Sequence, residues 1–423
     1  MKWFRCLVLS CLQWLVILCC TAQAYYTHPL DENIKTLRTL VDGDFQRLPV
    51  IDNTDNSHLD ISFDVLADEE PYLEYRVIHC DAQWEADDLS ELDYLDGFLP
   101  VRINEAQPSF NTFTHYYHFS VGFPNDDVRL LVSGNYAVIF SHQDDPDTPL
   151  AVATFSVSEQ MAFVGGEVSA STDIDYRQEH QQLTFQCTWS QQQLPYLDPA
   201  HDLKLVVTQN HRTDTRRILP SPSRMEPGKA FYEHLHPLIF EAGNTFRRFE
   251  FTDARYATFG VEQVTYRAPH YHVRLVTDQA RSGSFYRYDQ DQHGRYLIRS
   301  LRVDDVDTES EYFVAEFTLA GAMPPKGSGG IYLSGDFTYG ETSDAYRMTY
   351  DTERQCYVAD VLLKQGHYNY QYLVEMPGGQ LTPSVVEGNY YENANQYEVY
   401  VYYRPMGARY DRLLGVATLE EKK

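Results

Sequence analysis

Cysteine is scarce in most of this chain. Seven cysteines occur, and four of them lie within the first 24 residues. The other three are Cys80, Cys187 and Cys356, which are far apart in the sequence. Three thiols cannot all pair with one another and these lie far apart, so three half-buried free cysteines are the favoured expectation.

Long apolar runs are also lacking after the N-terminus. Lys2 and Arg5 precede an apolar run from Cys6 to Cys20, which a small-residue ending at Ala24 follows. This order predicts a secretory signal peptide over residues 1–24. Its run of about 15 residues is shorter than the roughly 20 that a spanning helix requires. We expect a mature chain that begins near Tyr25 and has no direct membrane span.

Basic residues are few compared with acidic ones. The chain has 34 Lys and Arg against 61 Asp and Glu, a net charge of −27. Nucleic-acid binding depends on neutralising phosphates with Lys and Arg, so a nucleic-acid partner is not expected. Aromatic residues make up 14% of the chain and tyrosine alone occurs 33 times. That apolar area favours packed cores over disorder.

Catalytic motifs are absent as well. The sequence has no G-x-S-x-G nucleophile elbow, no P-loop and no cysteine motif that supplies a partner base. We therefore predict a protein that is not an enzyme, with no catalytic residues and no cofactor-binding or metal-binding residues.

What the sequence does contain is alternation with a period of two residues. The apolar positions of residues 59–65 and 117–123 alternate with polar ones, which is typical of half-buried antiparallel strands. Turn clusters such as residues 144–147 (DDPD) and 377–379 (PGG) separate such stretches. The pattern predicts an all-β protein built of two to three tandem antiparallel β-sandwich domains of the immunoglobulin-like type.

Composition suggests where these domains begin and end. Residues 321–330 (GAMPPKGSGG) have the composition of a linker. The predicted order is a signal peptide, an N-terminal sandwich, a middle β-rich domain, the linker, a C-terminal immunoglobulin-like domain and a tail. Their bounds are 1–24, 25–158, 159–320, 321–330, 331–405 and 406–423.

Three stretches resemble metal sites in part. Residues 289–294 (DQDQHG) begin like a calcium loop, but the twelfth position is Ser300 where such a loop needs a Glu. A polar hairpin turn explains the segment better. The pairs His270/His272 and His234/His236 each place two imidazoles on one strand face, yet neither has an identifiable third ligand, so surface or half-buried histidines are expected.

Acidic residues cluster before one predicted strand. The run comprises Asp304, Asp305, Asp307, Glu309 and Glu311. Such a run attracts cations, but a solvated loop followed by the start of a strand is the favoured interpretation.

Tyrosines form two stripes near the C-terminus. Tyr368, Tyr370 and Tyr372 share one strand face, and residues 397–403 carry Tyr397 and Tyr403 on one face of another strand. Such stripes serve either as the margin of a core or as a docking surface, and core margin is favoured because a sheet face must be covered.

One part of the C-terminal region resembles glycogen-binding immunoglobulin-like modules. The similar strings are residues 331–337 (IYLSGDF) and 363–372 (LKQGHYNYQY). Those modules stack sugars on tryptophan, whereas Trp84 and Trp189 lie in the earlier predicted domains. An envelope glycan-binding protein is therefore the alternative hypothesis for function.

Eight strings spread over nearly all of the mature chain carry a second resemblance. They are residues 28–37 (HPLDENIKTL), 43–51 (GDFQRLPVI), 75–84 (YRVIHCDAQW), 124–126 (PND), 133–136 (SGNY), 240–244 (FEAGN), 387–391 (EGNYY) and 402–404 (YYR). Together they resemble the plug proteins of the type IX secretion system of Bacteroidetes.

The resemblance implies a periplasmic protein that is associated with the outer membrane through its partner. That partner would be the large translocon barrel, of the SprA or Sov type, whose periplasmic opening the plug seals. The resemblance does not identify the residues of this interface.

Overall fold

The computed structural model describes residues 24–52, 57–340 and 342–421. The predicted signal peptide lies outside the described residues except for Ala24. Strands dominate, and the helices are single turns: α1 is Glu91–Tyr94, α2 is Val306–Glu309, and two 3-10 turns are His236–Leu238 and Asp336–Thr338. No helix in the described part is both long and apolar enough to cross a membrane. The all-β prediction is confirmed.

The first sandwich contains the first twelve strands. In chain order, β1 to β12 are His28–Pro29, Ile34–Val41, Val50–Asp52, Leu59–Val65, Leu73–Cys80, Leu95–Gly97, Val101–Arg102, Ala106–Pro108, Tyr117–Phe123, Val128–Leu130, Gly134–His142 and Asp145–Ser158. One large sheet has the order β1-β12-β11-β5-β7, with β3 on β12, and the other has the order β2-β4-β9-β8, while β6 and β10 form a separate two-stranded sheet. Phe63, Phe119, Phe140 and Phe155 fill the core between them.

The second sandwich begins with seven strands. They are β13 to β19: Ala162–Ser169, His180–Trp189, Leu203–Gln209, Arg212–Ile218, Arg224–Glu226, Lys229–Tyr232 and Ile239–Glu241. One of its sheets has the order β13-β14-β18-β17, with β19 on β14. Its core includes Phe185, Cys187 and Tyr232.

The third sandwich follows with eleven strands. They are β20 to β30: Arg247–Phe251, Val261–Arg267, His270–Leu275, Asp278–Gln279, Tyr296–Ile298, Tyr312–Ala320, Gly330–Ser334, Thr349–Asp351, Cys356–Lys364, Gly366–Glu375 and Leu381–Thr382. Its sheets have the orders β20-β29-β24, with β26 and β30 on β29, and β21-β22-β25-β28-β27, with β23 on β25. Phe249, Phe313, Tyr368 and Tyr372 lie in its core.

The last two strands return to the second sandwich. They are β31, Gln396–Tyr403, and β32, Arg412–Glu420, and they complete a sheet of order β16-β15-β31-β32. β31 pairs there with β15 because Tyr397, Val399 and Val401 face inward and fill the second core. The third sandwich is thus inserted into the second.

The domain bounds expected from composition differ from this arrangement. The unit 331–405 combines strands of two sandwiches, because β26 to β30 belong to the third core and β31 to the second. The tail 406–423 contains β32. Residues 321–330 join β25 to β26, which contribute to one core, so they form a connection within the third sandwich.

Truncation after Pro405 tests whether the C-terminal segment is a tail. The change removes β32, including Leu413 and Leu414, which are fully buried. Each lost leucine costs about 2–5 kcal/mol, so we expect a large fall in the melting temperature measured by circular dichroism. Truncation after Glu421 is the control and should leave melting unchanged. Equal melting of both truncated chains would contradict the assignment of β32 to the second core.

Candidate functional site

Asp64 lies at the centre of the junction between the first and third sandwiches. Its side chain points away from the first core, yet the residue is fully buried, because the third sandwich packs on that face. Lys364 Nζ and the Tyr312 hydroxyl each donate to Asp64 Oδ2 at 2.6 Å. His118 Nδ1 lies 2.7 Å from Asp64 Oδ1. A buried ion pair with its remaining oxygen satisfied therefore joins the two sandwiches.

Further polar groups surround this ion pair. Lys364 Nζ also donates to the Asp307 carbonyl at 2.6 Å and lies 4.2 Å from the centre of the Tyr116 ring. The Asp307 carboxylate pairs with Arg38 at 2.7 Å. Burial by itself would raise the pKa of Asp64, but the charges of Lys364 and His118 lower it overall.

The acidic run before β25 contributes to the same junction. The solvated-loop expectation holds for Asp304 and Asp305, which are exposed, and Asp305 caps α2. It fails for Glu311, which is buried and accepts hydrogen bonds from the backbone of Phe113 at 2.5 Å and Thr114 at 3.2 Å. The run fastens the third sandwich to the loop before β9.

Asp411 has a similar place between the first and second sandwiches. Its fully buried carboxylate accepts from the Ala82 backbone at 2.9 Å and from Lys204 Nζ at 3.0 Å. Nearby, the Tyr402 hydroxyl donates to Asn135 Oδ1 at 3.0 Å. The contacts of Ala82 and Asn135 join the first sandwich to the second, whereas Lys204 and Asp411 both belong to the second sandwich.

The chain crosses between the second and third sandwiches twice, and the two crossings are bound together. Asn393 Nδ2 donates to the Ala242 carbonyl at 2.9 Å, and the Tyr390 amide donates to the Gly243 carbonyl at 2.9 Å. Gln181 of β14 donates to the Asn393 carbonyl at 2.8 Å. The two connecting segments between the second and third sandwiches are therefore hydrogen-bonded to each other.

A cavity of about 1020 Å³ lies where the three sandwiches meet. The outer face of the β16-β15-β31 sheet forms one wall, which includes Arg216 and Tyr400. The first sandwich contributes Trp84, and the third contributes Arg295 and Tyr332. No single sandwich contains this cavity.

Residues 289–294, the calcium-like segment, make contacts with neighbouring residues of the chain. Asp291 accepts from the Phe246 amide at 2.5 Å, and burial raises the pKa of Asp291 to about 6. Gly294 has a φ of +91°, and a Cβ there would lie 2.9 Å from the Phe246 ring, which explains the glycine. The segment leads into β24 and is not a hairpin, because the strands on either side of it pair in different sheets.

The two histidine pairs differ from each other. His270 and His272 do share a face of β22, where they meet Thr114 and Glu316. His234 and His236 do not lie on a strand: His234 is in a bend with a φ of +56°, and His236 begins a 3-10 turn. Within the described ranges, no group of three or more His, Cys, Asp or Glu side chains could hold a metal ion.

The remaining candidates are core residues. Cys80, Cys187 and Cys356 are free and buried, and burial raises the pKa of the Cys187 thiol to about 12. Both tyrosine stripes face cores: Tyr368, Tyr370 and Tyr372 the third, and Tyr397 and Tyr403 the second.

The sequence did not single out the residues of the junctions and the cavity. Asp64 occupies an ordinary polar position of an alternating strand, and its partner Lys364 is 300 positions away. Arg216 and Arg295 are likewise brought together only by the folding of three sandwiches. The local signal is a charged residue that ends a strand directly after two leucines, as Lys364 follows Leu362 and Leu363.

Comparison with known proteins gives three findings. A family model described as the type 9 secretion system plug protein first domain matches residues 34–159. The crystal structure of a hypothetical protein from Parabacteroides merdae is 39% identical with a TM-score of 0.91, and the alignment covers 94% of this chain and all of that one. The curated proteins contain no match.

A further solved structure, dimeric latent PorU from Porphyromonas gingivalis, aligns poorly. Its TM-score is 0.14 at 10% identity, over 92% of this chain and 34% of that one, and we draw nothing from it.

The fold defines a multi-sandwich β-protein in which three units are joined by buried polar junctions. Within that class, the first sandwich coincides with the matched family model, and the similarity to the solved relative runs through all three sandwiches. The chain belongs to the plug protein family of the type IX secretion system.

Replacing Lys364 with methionine tests the junction between the first and third sandwiches. The change leaves the Asp64 carboxylate buried without its cation, so we expect a loss of about 3–5 kcal/mol in unfolding free energy. The double variant Asp64→Leu/Lys364→Met should be more stable than Lys364→Met alone, because it removes the orphaned charge.

Urea denaturation measures both effects. The exposed ion pair between Arg129 and Asp96 supplies the control, since Arg129→Met should leave stability unchanged. Additive losses in the double variant would argue against coupling across the junction.

Glu398 gives a prediction on pH. It is fully buried beside the cavity, where the Thr208 hydroxyl donates to it at 2.6 Å, and burial raises its pKa to about 7. A raised folded-state pKa means that stability falls as pH rises from about 4.5, the unfolded value, to about 7.

We therefore expect Glu398→Gln to be more stable than the parent at pH 8, by about 2–3 kcal/mol, and to differ little at pH 4.5. Exposed Glu167 on β13 provides the control, because Glu167→Gln should show no such pH dependence. Chemical denaturation at pH 4.5 and pH 8 measures the unfolding free energies. An equal gain in stability of Glu398→Gln at both pH values would contradict the raised pKa of Glu398.

Proposed function

We propose that this protein is the periplasmic plug of the type IX secretion system, a gating subunit that binds the outer-membrane translocon barrel and seals its periplasmic opening. The main support is that the chain belongs to the plug family, and its similarity to the solved Parabacteroides merdae protein extends over 94% of the chain. The barrel would be of the SprA or Sov type.

The junctions support a role that depends on shape. A protein that seals a pore has to keep its domains in fixed relative positions, and independent domains on flexible linkers would not do so. Here Asp64, Asp411 and the double crossing at Asn393 join the sandwiches through buried polar contacts. A shift of one sandwich against another that parts these partners while they stay buried would leave charges unpaired, which is strongly unfavourable.

The surface also suits an interaction protein. A net charge of −27 favours solubility of the unbound protein. Each sandwich nevertheless exposes a large aromatic side chain almost completely: Phe98 in the first, Tyr196 in the second and Phe285 in the third. Aromatic residues are enriched at protein interfaces, so these positions are candidate anchors.

This role requires no chemistry, and we propose that the protein is not an enzyme. The glycan-binding alternative gains no support from the third sandwich. Most aromatic residues of the two glycogen-module-like strings, among them Phe337, Tyr368 and Tyr370, are buried in its core, and Tyr332 is buried at the wall of the central cavity. Buried rings cannot stack on a sugar, so the likeness is one of fold.

Purification of the tagged translocon barrel tests the proposal. We expect this protein to co-purify with the barrel when no cargo is being exported, and to be depleted from barrels that hold cargo. Cells that lack it should become permeable to a large hydrophilic antibiotic such as vancomycin, because the pore is left open. Absence of the protein from the barrel in every transport state would overturn the proposal.

Three matched variants extend the test. Phe98→Ala, Tyr196→Ala and Phe285→Ala each remove an exposed ring from a different sandwich, so stability should stay the same. Loss of co-purification in one variant and retention in the others would identify the sandwich that contacts the barrel.

A further inference from the structure

The central cavity has the opposite charge to the protein. Among the described residues that line it, five are arginines and two are acidic, Asp214 and Asp336, whereas the whole chain has 61 acidic residues against 34 basic ones. The arginines are Arg38, Arg47, Arg212, Arg216 and Arg295. A cleft of one sign with low-dielectric walls concentrates ions of the other sign, so this cavity attracts anions.

Three of the five arginines are already neutralised. Arg38 pairs with Asp307, Arg47 with Asp42 and Arg212 with Asp214. In the described part of the chain, Arg216 and Arg295 form no ion pair. These two guanidinium groups remain for a ligand.

Arg295 is the more unusual of the two because it is 4% exposed. It donates to the Gln292 carbonyl at 3.3 Å, to Gln396 Oε1 at 3.0 Å and to the His211 ring nitrogen. Burial lowers the pKa of His211 well below its usual value, so this acceptor is neutral. The charge of Arg295 also acts on the carboxyl groups of Asp336 and Glu398, but neither forms an ion pair with it, and burial raises the pKa of Asp336 to about 6 and that of Glu398 to about 7. The guanidinium charge is therefore only partly compensated, which is costly for a buried cation.

Arg216 lies on β16 and donates to the Ala82 carbonyl across the junction with the first sandwich. That acceptor is neutral too. A guanidinium can donate five hydrogen bonds, so Arg216 and Arg295 both keep donors for a carboxylate, which matches their planar geometry.

Aromatic rings form much of the remaining wall. Tyr400 and Tyr402 come from β31, and their rings stack with centroids 6.4 Å apart. Trp84 approaches from the first sandwich and Tyr332 from the third. Tyr26 and Arg47 are exposed residues of the lining, so solvent reaches the cavity on that side.

We propose that this cavity is a binding site for a carboxylate attached to an apolar or aromatic body, with Arg216 and Arg295 as its anion-binding residues. Its volume of about 1020 Å³ is at the upper end of the range for small-molecule sites. Either a free carboxylic acid or the C-terminus of a peptide presents this chemistry. The site is independent of the sealing role, which stands whether or not the cavity binds a ligand.

Trp84 supplies a readout for binding. It lines the cavity, whereas Trp189 is packed in the second core, and the mature chain has no other tryptophan. Titration of the full mature chain with 3-phenylpropionate should change the tryptophan fluorescence saturably. Its uncharged amide should not, because it lacks the carboxylate.

A second pair of probes distinguishes the two sources. An acetylated tetrapeptide that ends in phenylalanine is compared with the same peptide amidated at its C-terminus. Binding of 3-phenylpropionate alone would assign the site to small acids, and binding of the free-ended peptide as well would assign it to chain termini. Either result supports the site. Lack of saturable binding by both carboxylates up to millimolar concentration would overturn it.

Arg216→Gln tests the residue assignment. We expect at least a tenfold loss of affinity for 3-phenylpropionate, since a charge-assisted hydrogen bond is removed. Arg217→Gln is the matched control on the same strand, because Arg217 faces the other side, over the Phe240 ring. An unchanged affinity in Arg216→Gln, or an equal loss in both variants, would contradict the proposal.

Discussion

The ion pair between Asp64 and Lys364 joins parts of the chain that are 300 residues apart. Such a pair adds little net stability, since the desolvation of two charges offsets their attraction. Its effect is on specificity, because any arrangement of the first and third sandwiches that separates the partners leaves a charge buried without compensation. The pair therefore fixes one relative orientation. The central cavity depends on that orientation, because its walls come from all three sandwiches.

The insertion of the third sandwich into the second has a related effect. Two crossings of the chain resist rotation better than one, and the contacts of Asn393 and Tyr390 bind these crossings to each other. The first sandwich then contacts both of the others, through Asp64 on one side and through Ala82 and Asp411 on the other. Three pairwise junctions form a closed triangle, in which no unit can tilt without disturbing two interfaces. Such mutual constraint suits the sealing role that we propose.

The alternation of residues predicts the strands well because it is a local property. Leu59, Ile61 and Phe63 all face the first core as the pattern indicates. The choice of partner strand is a different matter: β31 has the same alternation whether it pairs within the third sandwich or, as observed, with β15. The expected domain bounds followed sequence order for this reason. The arginines of the cavity could not be predicted from the sequence either. Arg216 and Arg295 have no distinctive sequence context, and only the packing of the three sandwiches brings them into one cavity.

Because the chain is synthesised from the N-terminus, the insertion of the third sandwich determines the order in which the sandwiches acquire their strands. The first sandwich has all its strands once β12 is made, and the third is complete when β30 follows. The second sandwich has to wait for β31 and β32, so its open sheet edge at β15 and the apolar face beneath it stay uncovered while more than 150 residues are added. An unpaired strand edge of this kind is a site of aggregation. The edge of β15 is therefore an aggregation liability of this chain until β31 pairs with it.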